Sequence, residues 1–470
     1  MKFGGTSIAG ADQWESIASL VEARLAAGYK PLLICSAVAG VTDALKCLAQ
    51  AADKSTRQAS ADRAWVLNAT LAEALGVDLK SLAGDFRREL QQFVDSGISA
   101  TDFAGQARVL ALGEILSSQV GTAWLRGKGF DVAWQDARQA LVSRPEPERK
   151  RRQYLDARCG TRPDQALQQE WSGSGVVVTQ GFLASNTSGE TVLLGRGGSD
   201  TSAAYFGAAL EAQIVEIWSD VPGLFSTDPR MCAGARLLRE LDHFEALEIA
   251  AAGAGVIHPQ CIRVAREARL ELKLGQLGSG RFPGTVISDR EASGNSIVKA
   301  VSVRRNMVTL LLENQDMRQA VGFLARVFTL FADHGISLDQ VATSETTTTV
   351  SLDLDSNHVD LADVEGLVQE LKNECDVQIL APSACISLVG RGIAKALAGI
   401  SDSMRTFESG KLWLASYSAN DLAYTLVVPE ESATALAQSL HAELIEKNAE
   451  LCEHQFGPDW NQLQSVAGNA

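Results

Sequence analysis

The chain has 470 residues and a net charge of −15, from 57 acidic against 42 basic side chains. That length suits about three domains, and a hydrophobic content of 46% with a mean hydropathy of +0.01 argues against wholesale disorder. The acidic balance argues against nucleic acid or an anionic membrane surface as the main partner, although one local cationic pocket would still hold an anionic nucleotide. No apolar stretch approaches the roughly 20 residues needed to span a bilayer, and Gly4, Gly5, Thr6 and Ser7 interrupt any signal-peptide core at the start. Eight cysteines, at 35, 47, 159, 232, 261, 375, 385 and 452, are scattered with no C-x-x-C, which predicts a reduced cytoplasm and no metal cluster.

The chain opens on Lys2-Phe3-Gly4-Gly5-Thr6-Ser7, a composition suited to phosphate. Glycines admit a close backbone approach, hydroxyls and N–H groups donate, and the lysine supplies a point charge. Because the lysine precedes the glycines, this is not the G-x-x-x-x-G-K-[ST] loop. Trp14, Ile17, Ala18, Val21 and Leu25 then keep helical spacing, with Asp12 as the cap. Residues 31–35 read as a buried strand ending at Ser36. The small residues from Ser36 to Thr42 leave room for a ligand, and Thr42 is equally the cap of the next helix. A helix is predicted over 109–125. Inside it, Gly113 costs about 1 kcal/mol against alanine, which points to a close neighbour or ligand. Glu114 beside it reads either as an exposed helix glutamate or as a partner for an α-ammonium group. The basic run 149–152 reads as a solvated loop or helix end.

Further strands are predicted over 175–179, 191–194 and 214–218, with helices after most of them. Short apolar strands between helices predict an α/β fold with a mainly parallel sheet sandwiched by helices, and ligands bind such sheets beyond the carboxyl ends of the strands. Gly195-Arg196-Gly197-Gly198-Ser199-Asp200 lies between a strand and the helix predicted over 201–210. Its amides and the helix start form an anion site, Arg196 can grip a carboxylate bidentately, and Asp200 suits the helix dipole. The stretch from Ser219 to Arg230 follows the strand 214–218, its Pro-Gly and Asp-Pro pairs setting turns.

Beyond about residue 295 the pattern changes. A strand over 307–312, a helix through Leu324, Val327, Phe328 and Phe331 ending at Gly335, strands over 338–343 and 347–354, and a helix over 359–375 are predicted. The pattern recurs with strands over 384–389, 412–418 and 422–428 and helices near 393–400 and 430–447. Two βαββαβ units of roughly 75 residues fit this order.

The three motifs KFGGTS, Gly195 to Asp200 and Ser219 to Arg230 stand in the order found in aspartate kinases of the amino-acid kinase family, which the chain resembles over almost its whole length. The two C-terminal units resemble tandem ACT domains. The resemblance implies a catalytic domain over 1–290 and ACT domains over 305–380 and 381–455, intertwined so that a strand over 297–303 pairs with the second. It implies ATP with Mg²⁺ as cofactor and L-aspartate as substrate, giving 4-phospho-L-aspartate, the first step toward lysine, threonine and methionine. Lys2, Gly4, Gly5 and Asp200 are implied to be catalytic, with Asp200 ordering Lys2. Ser36, Thr42, Glu114, Arg196 and Ser199 would hold aspartate. Lys2, Phe3, Gly4, Gly5, Ser219, Asp220, Phe225 and Arg230 would hold ATP. Similarity to the lysine-sensitive type implies L-lysine as effector at Met317, Gly322, Phe323, Leu324, Leu338, Asp339, Ser344 and Glu345. There, amides at the helix start would take its carboxylate and Asp339 or Glu345 an ammonium. A cytoplasmic homodimer or higher homo-oligomer through the ACT domains follows from the same resemblance. The alternatives are a kinase acting on glutamate or acetylglutamate, and a kinase-derived amino-acid sensor with lost activity.

Two positions depart from the family pattern. Gly255, within 254–259, stands where relatives carry a lysine that contacts nucleotide phosphate, which predicts weaker ATP binding or a substitute cation. Only Met1 precedes Lys2, whereas a first strand needs about five residues. A truncated strand or an upstream start is therefore expected.

Overall fold

The structure is a computed structural model that describes residues 1–146, 150–278, 284–290, 298–314, 321–357, 359–396, 411–449 and 455–467. The chain forms two compact units. The first holds 1–223, 240–243 and 256–291, and the second 224–239, 244–255 and 292–470.

In the first unit, β1 (Lys2–Phe3), β2 (Leu32–Cys35), β3 (Val132–Trp134), β4 (Val176–Gln180), β5 (Leu183–Ser185), β6 (Thr191–Leu193) and β7 (Val215–Ser219) come first. After β8 (Arg236–Leu238), which belongs to the second unit, follow β9 (Glu240–Asp242), β10 (Leu272–Gln276) and β11 (Thr285–Ser288). Eight strands form one sheet in the order β3, β4, β2, β1, β7, β10, β11, β9. Every neighbouring pair from β3 to β10 is parallel, and β10–β11 is the antiparallel pair. β4 is buried at all five positions, as a sheet covered on both faces requires.

The strand predicted over 191–194 is present as β6 but lies outside this sheet. It pairs antiparallel with β5 as a separate hairpin. The turn decides this: Asn186 Oδ1 accepts the N–H groups of both Ser188 and Glu190, at 2.9 and 3.0 Å, and folds the chain straight back. The predicted first helix runs Ala11–Ala26, with Gly10 rather than Asp12 at its cap. Asp12 lies inside the first turn, where its charge meets the helix dipole. The helix predicted over 109–125 is longer, Phe103–Gly127, because Asp102 caps it by accepting the Gly105 N–H at 2.9 Å.

In the second unit, β12 (Ala300–Glu313), β13 (Gln340–Thr343), β14 (Thr347–Asp353), β15 (Asp376–Val389), β16 (Leu414–Tyr417) and β17 (Ala423–Pro429) make one antiparallel sheet in the order β13, β14, β12, β15, β17, β16. β18 (Phe456–Asp459) pairs with β8. Residues 300–303 of the first predicted strand and the predicted strand 307–312 run together in β12, with an irregularity between Arg304 and Met307. Ala300 to Arg304 faces Val389 to Cys385, and Leu310 to Glu313 faces Ile379 to Asp376, so β12 and β15 each pass through both βαββαβ repeats. Val308, Leu310 and Leu312 alternate onto one face and bury against Phe323, Val327 and Phe331 of the helix Phe323–Asp333 and against Leu367 of the helix Leu361–Leu371. No helix among the described residues is long and apolar enough to cross a membrane.

One contact in the first unit limits sequence change. Trp14 packs edge-on against Trp124 at 5.9 Å, and a Cβ added to Gly121 would stand 1.9 Å from the Trp14 ring. Gly121→Ala should therefore force the two helices apart and lower stability by about 1–3 kcal/mol, typical of overpacking. Urea unfolding followed by tryptophan fluorescence reads this as a lower midpoint. An unchanged midpoint would show that the helices yield at no cost.

Candidate active site

The carboxyl ends of β1, β2, β4, β7 and β10 share one edge of the parallel sheet, where such folds gather ligands. The loops there carry Gly4–Gly5, Ser36–Gly40, Gly181–Phe182 and Ser219–Gly223. The first two interlock. Ser36 N–H donates to Phe3 O at 3.2 Å and Ala39 N–H to Gly5 O at 3.3 Å. A Cβ on Gly5 would come within 2.7 Å of Ala37 O, so no larger residue fits without moving backbone. From the other side, the helix Phe103–Gly127 presses on the same loop. A Cβ on Gly113 would meet Ala37 Cβ at 2.9 Å, which accounts for a glycine in mid-helix, and Ser117 Oγ donates to Ser36 O at 2.7 Å.

Lys2 ends up nearly buried at this edge, its Nζ 2.7 Å from Asp200 Oδ1. Asp200 is in the first turn of the helix Gly198–Ala209, which packs against β1, β2 and β7. The glycine turn before that helix is tightly enclosed: a Cβ on Gly197 would overlap His258 at 2.2 Å, and Ser199 Cβ would lie 2.7 Å from one on Gly181. His258 caps the helix Pro259–Glu267, its Nδ1 accepting the Gln260 N–H at 3.2 Å. Burial first, then the charges of Arg196 and Arg263, hold the His258 imidazole below its usual 6.5, while Asp200 and Asp156 pull the other way. The charges of Asp156, Asp200, Arg196 and Arg263 thus meet at His258.

Glu114 is buried, not exposed. It accepts a hydrogen bond from the Ala37 N–H, yet burial dominates and pushes its carboxyl from 4.5 to about 8. Its Oε2 is buried without a hydrogen-bond partner. A buried carboxyl with a vacant acceptor, beside the loop that touches Gly5, suits an incoming ammonium group.

The other sequence-predicted residues divide. Ser36 is half-buried on the Ala37 loop, Thr42 is half-buried in the first turn of the helix Val41–Gln50, whose cap is Gly40 rather than Thr42, and Arg196 is exposed at the glycine turn. Phe3 is fully buried within the sheet, so its contribution at this edge is main chain. Ser219 and Asp220 follow β7, with Ser219 Oγ bonded to Val221 O at 3.0 Å and Asp220 O to Gln276 at 2.9 Å. Phe225 and Arg230 belong to the second unit. Phe225 is buried edge-on against Trp460 at 5.5 Å, and Arg230 pairs with Asp228 at 2.8 Å. Gly255 has a backbone reason of its own: its φ of +67° is one that side-chain-bearing residues rarely adopt. Sequence reasoning missed His258, Asp156 and Ser117. The His-Pro pair at a helix start was the available signal for the first.

Of the effector positions, Phe323, Leu324 and Leu338 pack into the second unit's core. Gly322 precedes the helix that Phe323 begins. Asp339 is already engaged. It accepts Arg304 Nη1 at 2.8 Å and the Asp353 N–H at 2.8 Å, and burial raises its carboxyl above the usual 3.8. Ser344 and Glu345 are exposed in the turn after β13. Met317 lies outside the described residues.

The sequence matches the amino acid kinase family over residues 1–275 and the ACT domain over 315–376. It is 30% identical over 459 residues to the lysine-sensitive aspartokinase 3 of Escherichia coli (strain K12), covering 95% of this chain and 98% of that protein. Aspartokinase 1, chloroplastic, of Arabidopsis thaliana is 28% identical over 461 residues, with 95% and 80% covered. The crystal structure of E. coli aspartokinase III in complex with aspartate and ADP (R-state) matches with a TM-score of 0.80 at 28% identity, covering 94% of this chain and 98% of that one. The same enzyme in complex with lysine and aspartate (T-state) matches with a TM-score of 0.75, also at 28% identity and with the same coverage.

The raised Glu114 carboxyl has a consequence for stability. Between pH 4.5 and about 8 the native state keeps a proton that the unfolded chain has released, so stability falls as pH rises through that window. Glu114→Gln should flatten the fall. Urea midpoints across the window test it, and parallel slopes for parent and variant would show that Glu114 does not hold that proton.

Proposed function

The chain belongs to the amino acid kinase family, and we propose that it acts as an aspartokinase, transferring the γ-phosphoryl group of ATP to the side-chain carboxylate of L-aspartate to give 4-phospho-L-aspartate and ADP. The observation that carries this reading is the nearly buried Lys2–Asp200 pair at the carboxyl end of β1, beside two glycine turns. An acceptor carboxylate is already a competent nucleophile, so the site needs positioning and charge neutralisation rather than a base. Lys2 would meet the transferring phosphoryl, with Asp200 holding the ammonium in place and the main chain at Gly4 and Gly5 allowing close approach. Glu114 would take the substrate α-ammonium, and Arg196 a carboxylate, as bidentate guanidinium contacts do. Ser36, Thr42 and Ser199 line the same edge. Ser219 and Asp220 would face the nucleotide.

The donors present fit Mg²⁺ that arrives with ATP. Asp200 is occupied by Lys2 and Asp220 is exposed at the strand end, so phosphate oxygens and water would supply most of the shell. Bound there, the ion would neutralise charge on the phosphate oxygens.

L-lysine is the effector this reading names, acting through the tandem ACT repeats of a cytoplasmic homo-oligomer. The lysine sensitivity of the E. coli relative supports it. Lysine inhibits only where it binds an inactive arrangement more tightly than the active one.

A coupled assay of ADP release tests the reaction. Turnover should require L-aspartate, and L-glutamate or N-acetylglutamate replacing it equally would reject the substrate. Lys2→Ala should lower turnover by at least about a hundredfold, the loss expected for a transition-state charge. Turnover within about threefold of the parent would remove Lys2 from this role. Glu114→Ala should raise the KM for aspartate far more than that for ATP, and an equal rise in both would place Glu114 outside the substrate pocket. Lysine at millimolar concentration should inhibit and give binding heat by calorimetry. Absence of both would point to threonine or another effector.

A further inference from the structure

We propose that Cys232, His441 and Glu446 form a binding site for one divalent transition metal ion of the zinc type. Cys232 Sγ lies 3.5 Å from His441 Nδ1 and 3.7 Å from Glu446 Oε1, and Nδ1 lies 3.0 Å from Oε1. Tetrahedral zinc, with bonds of about 2.3 Å to sulfur and 2.0–2.2 Å to nitrogen and oxygen, has sulfur–nitrogen and sulfur–oxygen edges of about 3.6 Å and a nitrogen–oxygen edge of about 3.4 Å. All three edges therefore match to within a few tenths of an ångström. The thiol, imidazole and carboxylate are also the donor set such ions take.

The same three groups satisfy one another as hydrogen bonds, so the surroundings must decide between a ligand set and a polar cluster. Four features favour the ligand set. First, His441 ends the helix Glu430–His441, and the chain continues through Ala442–Glu446 as a π-helical turn. In an α-helix, positions five apart point to different sides. The wider π turn brings residues 441 and 446 to one side, and such turns gather at functional sites. Second, the Ala235 N–H donates to Cys232 O at 3.1 Å, closing a tight turn on the cysteine. Third, a Cβ on Gly234 would stand 2.2 Å from Glu446 Oε1, so the glycine leaves room for the carboxylate. Fourth, the far ring nitrogen of the buried His441 is held: Nε2 is 2.8 Å from Ser226 Oγ, which accepts the Arg236 N–H at 2.9 Å. An oriented second nitrogen is the usual support of a ligating histidine.

An arriving ion would displace the Cys232 thiol proton as the sulfur–metal bond forms. Glu446 is 41% exposed, which leaves a side open for water as the fourth ligand. The ion would tie the loop containing Cys232 to the end of the helix Glu430–His441. That loop turns on Asp228 O, which accepts the N–H groups of Met231 and Cys232 at 2.9 and 3.0 Å, and it also carries Arg230.

The test uses the full chain, stripped with a chelator and titrated with Co²⁺ and then Zn²⁺. One Co²⁺ per chain should bind with a thiolate-to-cobalt charge-transfer band, Zn²⁺ should displace it, and Zn²⁺ should raise the unfolding temperature. Cys232→Ser should abolish the band, and Glu446→Gln should weaken binding at least about tenfold, with circular dichroism confirming that each variant folds. Glu446→Gln changes a half-exposed side chain and keeps the test open if Cys232→Ser does not fold. No charge-transfer band in the parent, a band that persists in Cys232→Ser, or unchanged affinity in Glu446→Gln would each overturn the proposal and leave a hydrogen-bonded cluster. None of these readouts depends on the kinase reading.

Discussion

The Lys2–Asp200 ion pair is the constraint on which the first unit's site depends. An ammonium group almost removed from water is tolerated only with a counter-charge in hydrogen-bond reach, and breaking a buried pair of this kind costs about 3–5 kcal/mol. Lys2 cannot move to find its partner, because β1 is clamped between β2 and β7, with Phe3 opposite Cys35 on one side and Trp218 on the other. Asp200 must therefore come to it. The helix Gly198–Ala209 delivers the carboxylate, and a helix start is also where a negative charge meets a favourable dipole. The glycine turn exists to let that helix begin so close to His258 and Phe182 that a Cβ at Gly197 or Gly198 would overlap them.

Glu114 is the counterpart of this pair in the opposite sense. Lys2 is matched within the protein, whereas Glu114 is buried with one oxygen unmatched. Leaving a buried acceptor unpaired costs roughly 1–3 kcal/mol, a cost that a ligand ammonium would relieve. The same arithmetic would give selectivity, since a molecule lacking an ammonium would leave the carboxyl unpaired.

What the sequence made legible follows from how local each feature is. The glycine turns, the apolar strands and the split repeats are written in runs of fewer than twenty residues, and the parallel sheet and the two βαββαβ repeats were readable from them. Glu114 was ambiguous because a single glutamate in a helix carries no sign of its burial. Only the neighbouring Gly113 hinted at the crowding that Ala37 and Val41 supply. β6 was misplaced because its apolar run looks like any other, and the side-chain turn at Asn186 that turns it away from the sheet is a matter of geometry. The cysteine spacing suggested no metal cluster, a reading blind to Cys232, His441 and Glu446. Cys232 lies more than two hundred residues from the other two in sequence, and a π-helical turn aligns those two.

The second unit shows how two repeats become one mechanical object. A strand that served a single repeat would end near the irregularity between Arg304 and Met307, but β12 continues through it. Arg304 stands at that junction with its guanidinium on Asp339 at 2.8 Å and on Asp353 at 3.5 Å. Its Cβ lies 3.6 Å from where a Cβ on Gly253 would be. Before the junction, Lys299 is paired with Glu245 at 2.5 Å, both almost fully buried. Glu245 and Gly253 belong to the segment 244–255, which folds with this unit. The base of the Arg304 side chain thus lies beside Gly253 while its guanidinium holds Asp339. The shared strand and this arginine thus join the Asp339 end of β13 to the segment 244–255 by direct contact.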